Sequence, residues 1–303
     1  MRDDHTVKGI IFDIDHFAVH DGEGIRTCIY LKGCPLKCAW CHSPESQEEN
    51  PSVLFAAGRC NGCGACVREC PAGAQKLREG VRFFDREMCR SCGRCVNVCG
   101  TGALVLAGTV YTAEEAAEEA LADRVFFKNS GGGVTISGGE VLMQAEFVCG
   151  LLRLLKRRQI HTIVETAGYG NGRDLLNLVP YTDVFYYDFK LGDRAEFERY
   201  IGGDCDVVFD NLRELRAATD QIVLRVPIIP GITDTEKNIG ILYDTARELD
   251  IRQIHFLPYN TSAGAKYEWC GKTYGLGELK TDMEKLERYQ RLAPQQIRVD
   301  IMS

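Results

Sequence analysis

The chain has 303 residues, 45% of them apolar and 26% charged, a globular composition long enough for one large domain or a core with a smaller companion. Its 36 basic residues against 43 acidic ones leave a formal net charge of −7, which argues against a broad phosphate-binding face and so against nucleic acid as a partner. The N-terminal MRDDHTVKG is charged and carries no apolar core, and no stretch approaches the ~18 consecutive apolar residues of a membrane span, so the expectation is a cytoplasmic chain with no membrane partner.

In chain order, β-branched and aromatic runs predict strands at GIIFDI (9–14) and TCIYLK (27–32). Residues 52–106 then break the rhythm, with eight cysteines, many glycines and few long apolar runs, and they read as an insertion. YTAEEAAEEALAD (111–123) restarts the main domain as a helix. Beyond it come the strands GVTIS (133–137), HTIVET (161–166), VFYYDFK (184–190), IVLRVPII (222–229), IRQIHFLP (251–258) and IRVDI (297–301). Helical runs fall among them at 145–159, 233–250 and 278–293. The alternation predicts an α/β fold in which successive parallel strands, joined by right-handed crossovers, form a curved, barrel-like sheet of six to eight strands. The domain division is then 1–51 with 107–303 as the discontinuous barrel and 52–106 as the insert.

Twelve of the fifteen cysteines lie between Cys28 and Cys99. Without a secretory signal, metal or cluster ligation is a better reading than disulfides. Cys60, Cys63, Cys66 and Cys70 recur 29 residues later as Cys89, Cys92, Cys95 and Cys99, each set reading C-x2-C-x2-C-x3-C. That is the spacing of two-cluster ferredoxins, in which the fourth cysteine of one run ligates the other run's cluster. The predicted ligand sets for two [4Fe-4S] clusters are therefore Cys60, Cys63, Cys66 and Cys99, and Cys89, Cys92, Cys95 and Cys70. The competing reading is a pair of zinc sites. Upstream, Cys34, Cys38 and Cys41 form a C-x3-C-x2-C triplet without an obvious fourth partner. A cubane held by three thiolates keeps one iron open, as a catalytic metal requires; zinc, or a cluster completed by Cys28, is the alternative.

Strand ends supply the rest. Gly138-Gly139-Glu140 follows GVTIS, where the glycines permit close backbone approach and Glu140 can accept from an ammonium group. Glu165-Thr166-Ala167-Gly168, Asp188-Phe189-Lys190, Arg225 and Leu257-Pro258-Tyr259-Asn260 lie at or near the C-terminal ends of other predicted strands, the face on which barrels place their chemistry. For Asp188 and Lys190 a salt-bridged strand terminus is the plain alternative.

With these residues in view, the chain resembles the activating enzymes of glycyl radical enzymes, a subfamily of the radical S-adenosylmethionine (SAM) enzymes. The strings that carry the resemblance are VHDGEGIRT, YLKGCPLKCAWCHSPES, SGGGVTISGGEVLMQ, ETAGY, YYDFKL, LRVPIIPGITD and LPYNTSAGAKYEW, and they run nearly end to end. The resemblance implies a partial (β/α)6 TIM-like barrel, a SAM-binding [4Fe-4S] cluster on Cys34, Cys38 and Cys41, and a ferredoxin-like insert with two further clusters, three in all. It implies that Trp40 and His42 line the adenosyl side of SAM, and that Gly138, Gly139 and Glu140 hold its amine. Asp188, Phe189 and Lys190 follow its carboxylate, with Lys190 grouped with the three cysteines at the reacting centre. A monovalent cation is implied near Glu165, Thr166 and Asp188, and Arg225 and Asn260 are implied near the nucleoside. Departures from the commoner pattern are Glu23 and Val141 for Pro, Glu165 for Asp, and Asn260 for His.

The implied activity is anaerobic: reductive cleavage of SAM to a 5′-deoxyadenosyl radical that takes a hydrogen atom from a backbone glycine of a glycyl radical enzyme. A flavodoxin or ferredoxin is implied as electron donor, with the extra clusters as relay. The alternatives are a radical SAM enzyme acting on a small molecule and an iron-sulfur electron-transfer protein. Cys28, Cys149, Cys205 and Cys270 are expected to pack in apolar or loop contexts, and His16, His20, His161 and His255 have no ligand-like spacing.

Overall fold

The computed structural model describes residues 4–260, 262–277 and 279–302. Thr261, within the LPYNTSAGAKYEW string, and Glu278, at the start of a predicted helix, lie outside the described residues. The strands are β1 (Lys8–Ala18), β2 (Arg26–Leu31), β3 (Ser52–Phe55), β4 (Gln75–Arg78), β5 (Val81–Phe84), β6 (Leu104–Ala107), β7 (Thr109–Thr112), β8 (Gly133–Gly138), β9 (His161–Thr166), β10 (Val184–Asp188), β11 (Ile222–Ile228), β12 (Gln253–Pro258) and β13 (Arg298–Ile301). Nine of them form one sheet in the order β13-β12-β11-β10-β9-β8-β2-β1-β7.

From β2 through β8 to β13 every neighbour is parallel. At the other end the expectation of successive parallel strands fails, because β1 runs antiparallel to β2 and β7 antiparallel to β1. The reason is length: the 19–25 loop between β1 and β2 is too short for a crossover helix, which a parallel pair requires.

Side chains alternate strictly across the parallel strands. Val134 and Ile136, Phe185 and Tyr187, and Leu224 and Val226 face the outer helices and are buried there. The Ala145–Arg157 helix covers this face with Phe147, Leu151, Leu152 and Leu155, each worth roughly 1.5–3 kcal/mol of burial. Thr135, Ser137, Glu165, Tyr186, Arg225 and His255 take the inner face, so the interior of the curl is largely polar, with Ile163 and Val223 packed on Tyr186. Arg26, fully buried, donates to Thr135 Oγ1 at 2.7 Å and to the Val134 carbonyl at 2.8 Å.

Segment 52–106 enters through β3 and leaves through β6, which pair with each other in antiparallel register from Ser52↔Ala107 to Phe55↔Leu104. Between them lie the β4–β5 hairpin and two short helices, Ala65–Glu69 and Arg94–Asn97, preceded by Gly64 and Gly93 at φ of 70° and 73°. The sequence repeat is thus also a backbone repeat, and glycine supplies its left-handed turn in both copies.

His16, on the irregular end of β1, lies 2.6 Å from buried Asp123, which also accepts from Thr27 Oγ1 of β2 at 2.6 Å. The hydrogen bond to Asp123 raises the His16 pKa above its ordinary value, against burial. A raised folded-state value stabilises fully below the unfolded pKa of about 6.5, and the gain is lost as pH rises through the folded value. His16→Gln is therefore expected to lower the thermal midpoint relative to wild type at pH 5.5 and to cost less at pH 9; an equal loss at both would contradict the pairing.

Candidate active site

A cavity of about 230 Å³ opens where β2 and β8 to β12 end. Cys34, Cys38 and Cys41 line it together with Ser137 to Glu140 at the end of β8, Glu165 to Ala167 at the end of β9, Asp188 and Lys190 at the end of β10, Pro227 and Ile229 at the end of β11, and Leu257 to Tyr259 at the end of β12. In a flat sheet β8 and β12 would lie about 19 Å apart at ~4.8 Å per strand, so one cavity shared by these five strand ends and the loop after β2 requires the sheet to curl.

The cysteine loop is fixed by the strand end beside it. Gly139 N donates to Leu31 O and Glu140 N to Gly33 O, both at 2.8 Å. A Cβ on Gly138 would meet Leu31 N at 2.3 Å, and one on Gly139 would meet Gly33 O at 2.2 Å. The two glycines therefore admit this chain's own backbone. Glu140, 1% exposed, accepts from Thr166 Oγ1 at 2.5 Å and Leu142 N at 3.2 Å on one oxygen, and from Ala167 N at 2.9 Å on the other. Burial pushes its pKa up against these three donors.

Charge is paired along the floor. Glu165 accepts from Arg225 Nη1 and from Ser137 Oγ, each at 2.7 Å, and Lys190 Nζ donates to Asp188 at 2.8 Å. Burial alone would lower the Lys190 pKa, but Asp188 and the neighbouring Cys38 and Cys34 raise it, so the ammonium is held charged. Burial pushes the Cys34 thiol up to about 12 and Cys38 up to about 11, and raises Cys41. Three half-buried thiols beside a fixed ammonium suit a group that takes them as thiolates.

Other predicted residues stand at varying distances from this cavity. Trp40 lines it and is 4% exposed, and His42 stands exposed at its rim. Arg225 lies behind Glu165, its guanidinium 5.0 Å over the Tyr186 ring. Phe189 points away, its ring 5.7 Å from Phe209, because strand alternation sends Asp188 and Lys190 inward and the residue between them outward. Asn260 is exposed and accepts from Ser262 N at 3.0 Å, outside the cavity that Tyr259 lines. The oxygens expected around a cation are engaged: Glu165 by Arg225 and Ser137, and Thr166 Oγ1 by Glu140 and Gly168 N. Cys28 is fully buried within β2 and does not line the cavity.

In segment 52–106, Cys60, Cys63, Cys66 and Cys99 surround one cavity of about 320 Å³. Cys70, Cys89, Cys92 and Cys95 line a second, narrower one. The fourth cysteine of each run thus crosses to the other run. Burial would raise the thiols of Cys70 and Cys99, yet both are lowered, Cys70 by backbone N–H groups from Ala72 to Gln75 and Cys99 by Thr101 and the backbone from there to Leu104. Among the described residues, no three cysteine sulfurs lie within 4.8 Å of one another; the single such group of possible metal ligands is Asp204, Cys205 and Asp206. Four thiolates at ~2.3 Å from one zinc would sit about 3.8 Å apart.

Sequence reasoning overlooked Ser137, whose signal was its inward position two residues beyond Thr135. It also overlooked Glu45, a buried residue just past the cysteine loop, whose carboxylate pairs with Lys266 at 2.8 Å and whose carbonyl accepts from Lys32 at 2.7 Å. The Glu140 clamp yields a direct expectation: Glu140→Gln sets an amide NH2 against an N–H or hydroxyl donor and should cost about 1–3 kcal/mol of stability in denaturant unfolding, whereas an unchanged midpoint would contradict the clamp.

A family model described as a 4Fe-4S single cluster domain matches residues 20–187. Isethionate sulfite-lyase activating enzyme of Nitratidesulfovibrio vulgaris is 37% identical over 299 residues, covering 96% of this chain and 97% of the relative. Trans-4-hydroxy-L-proline dehydratase activating enzyme of Clostridioides difficile is 36% identical over 287 residues, covering 93% and 95%. A crystal structure of a radical SAM methyltransferase from Sphaerobacter thermophilus superposes with a TM-score of 0.51 at 15% identity over 67% of this chain and 60% of that one, a likeness of fold alone. With similarity across nearly its whole length, this chain belongs to the radical SAM activating enzymes of glycyl radical enzymes.

Proposed function

We propose that Cys34, Cys38 and Cys41 hold a [4Fe-4S] cluster with SAM on its open iron, and that residues 52–106 form a separate ferredoxin-like unit holding two more clusters. Residues 1–51 and 107–303 then make the partial (β/α)6 barrel around the first. The observation that carries the reading is that one cavity gathers the three cysteines and the ends of five parallel strands. When bound, the cluster would supply one electron for cleavage of SAM to methionine and a 5′-deoxyadenosyl radical, the chemistry needed to take a hydrogen atom from the α-carbon of a glycine in the partner.

The chain's own residues bind, orient and exclude water. Three thiolates leave one coordination position free, and the two backbone bonds from Gly139 and Glu140 hold the start of their loop against β8. Lys190 presents its ammonium to the sulfurs and to any carboxylate beside them, while Asp188 fixes its position. Trp40 covers one wall with an apolar ring. Glu140, Glu165 and Asp188 outnumber Lys190 and Arg225 around the cavity, which favours a ligand with a net positive charge such as a sulfonium amino acid. Hydrogen-atom transfer needs no general acid or base, so a site built for orientation suffices. The partner is a glycyl radical enzyme, and a flavodoxin or ferredoxin is the electron donor we assign to the 52–106 clusters.

Anaerobic reconstitution tests the assignment. Wild type should hold about twelve irons, for three four-iron clusters. Cys38→Ser should fall toward eight irons and release no 5′-deoxyadenosine with dithionite, while Cys63→Ser should lose a similar amount of iron yet keep dithionite-driven cleavage. Zinc in place of iron, or cleavage by Cys38→Ser, would overturn it.

A further inference from the structure

The β4–β5 hairpin lies over both four-cysteine cavities. Cross-strand partners share a face, so Gln75 and Phe84 join Leu77 and Arg82 on one side, and Lys76, Phe83, Arg78 and Val81 share the other. The first set turns toward the cysteines: Leu77, still 44% exposed, and Arg82 line the Cys60 cavity, and Gln75 lines the Cys95 cavity and donates to Cys95 Sγ at 3.5 Å. The second set faces solvent. Val81 is 69% exposed and Phe83 49%, with the Arg78 guanidinium 5.5 Å over the Phe83 ring.

An isolated two-stranded hairpin is marginally stable, and large apolar side chains displayed on one mark a surface that something covers. The barrel does not cover it, because it meets the segment elsewhere. There Arg59 stacks 4.9 Å over the Trp269 ring, and Arg86 donates to Trp269 O at 2.6 Å. Charge indicates what does. Residues 52–106 carry eight basic side chains against four acidic ones, within a chain whose net charge is −7. The hairpin face sets the exposed Arg78, and Lys76 held by Asp85 at 3.0 Å, beside an apolar centre, the pattern of a small and transient redox encounter surface.

Resting on the proposal that residues 52–106 hold two clusters, we infer that the outer face of the β4–β5 hairpin docks an acidic one-electron carrier protein. The docked carrier is separated from both cavities by one hairpin layer. One electron leaves the reduced carrier and enters a cluster of the segment; the carrier is oxidised and the cluster reduced by one, and no bond forms or breaks.

The test uses the reconstituted holoenzyme and reduced flavodoxin as the probe, at low ionic strength. Arg78→Glu and Val81→Glu should each weaken flavodoxin binding at least tenfold in titration, and raise the flavodoxin concentration for half-maximal cluster reduction in stopped flow to match. Iron content and dithionite-driven SAM cleavage should stay at wild-type levels. Unchanged flavodoxin binding in both variants overturns the inference. So does unchanged binding with weaker activation of the glycyl radical partner under dithionite, which would give the face to the protein substrate. A wild-type holoenzyme without iron in this segment overturns the cluster assignment and the docking with it, and the iron count reveals that failure before any carrier is added.

Discussion

The closest backbone approach around the cavity, where β2 and β8 end together, is the constraint from which the rest of the site follows. Gly138 and Gly139 lie so near Leu31 and Gly33 that no side chain fits, and the two N–H groups that result hold the start of the cysteine loop. Glu140 then extends the joint to a third strand by clamping Thr166 and Ala167. Three strand ends and the cysteine loop thus move as one body. A site that orients a reactive atom rather than transferring protons needs this rigidity, since a displacement of about 1 Å is enough to spoil a near-attack geometry.

Beneath the cavity, the curl of the sheet holds a chain of polar groups in mutual contact, with Arg225 Nε and His255 Nδ1 left unpartnered. Ser137 and Arg225 hold Glu165, Arg225 lies over Tyr186, and Tyr186 meets His255 edge-on at 5.5 Å. Arg26 bonds Thr135 lower in the same interior. Buried charges without partners cost several kcal/mol, so each pair is an all-or-none arrangement that gives the cavity a fixed floor. The inner face of each strand therefore serves the site, while its outer face anchors the strand to the helices.

Much of this architecture is legible in the sequence, because period-two alternation and β-branched runs mark all the strands from β8 to β13. Orientation is less legible: nothing in GIIFDI states that β1 runs against β2, and the brevity of the 19–25 loop was the available clue. The Cys205–Ala218 helix went unread because Asp and Asn interrupt its apolar face, and Tyr111 and Thr112, predicted to open a helix, belong instead to β7, whose four residues carry too little pattern. At the site, cysteine spacing and strand ends are readable as chemistry, but side-chain direction is not. Asp188, Phe189 and Lys190 look alike as a motif, and alternation turns the middle one away. Gly-Gly-Glu invites a ligand reading, whereas its glycines admit backbone and its glutamate clamps a neighbouring strand. Such roles depend on contacts between distant strand ends, which spacing within one string does not encode.

The central claim is that this cavity aims a radical at the α-carbon of a glycine in a partner protein, and isotope transfer tests it most directly. The partner glycyl radical enzyme, prepared with α-deuterated glycine, is incubated anaerobically with the reconstituted chain, SAM and reductant. The account predicts deuterium in the released 5′-deoxyadenosine together with a glycyl radical signal in electron paramagnetic resonance. Deoxyadenosine free of deuterium, formed while the partner stays diamagnetic across a panel of glycyl radical enzymes, would contradict it.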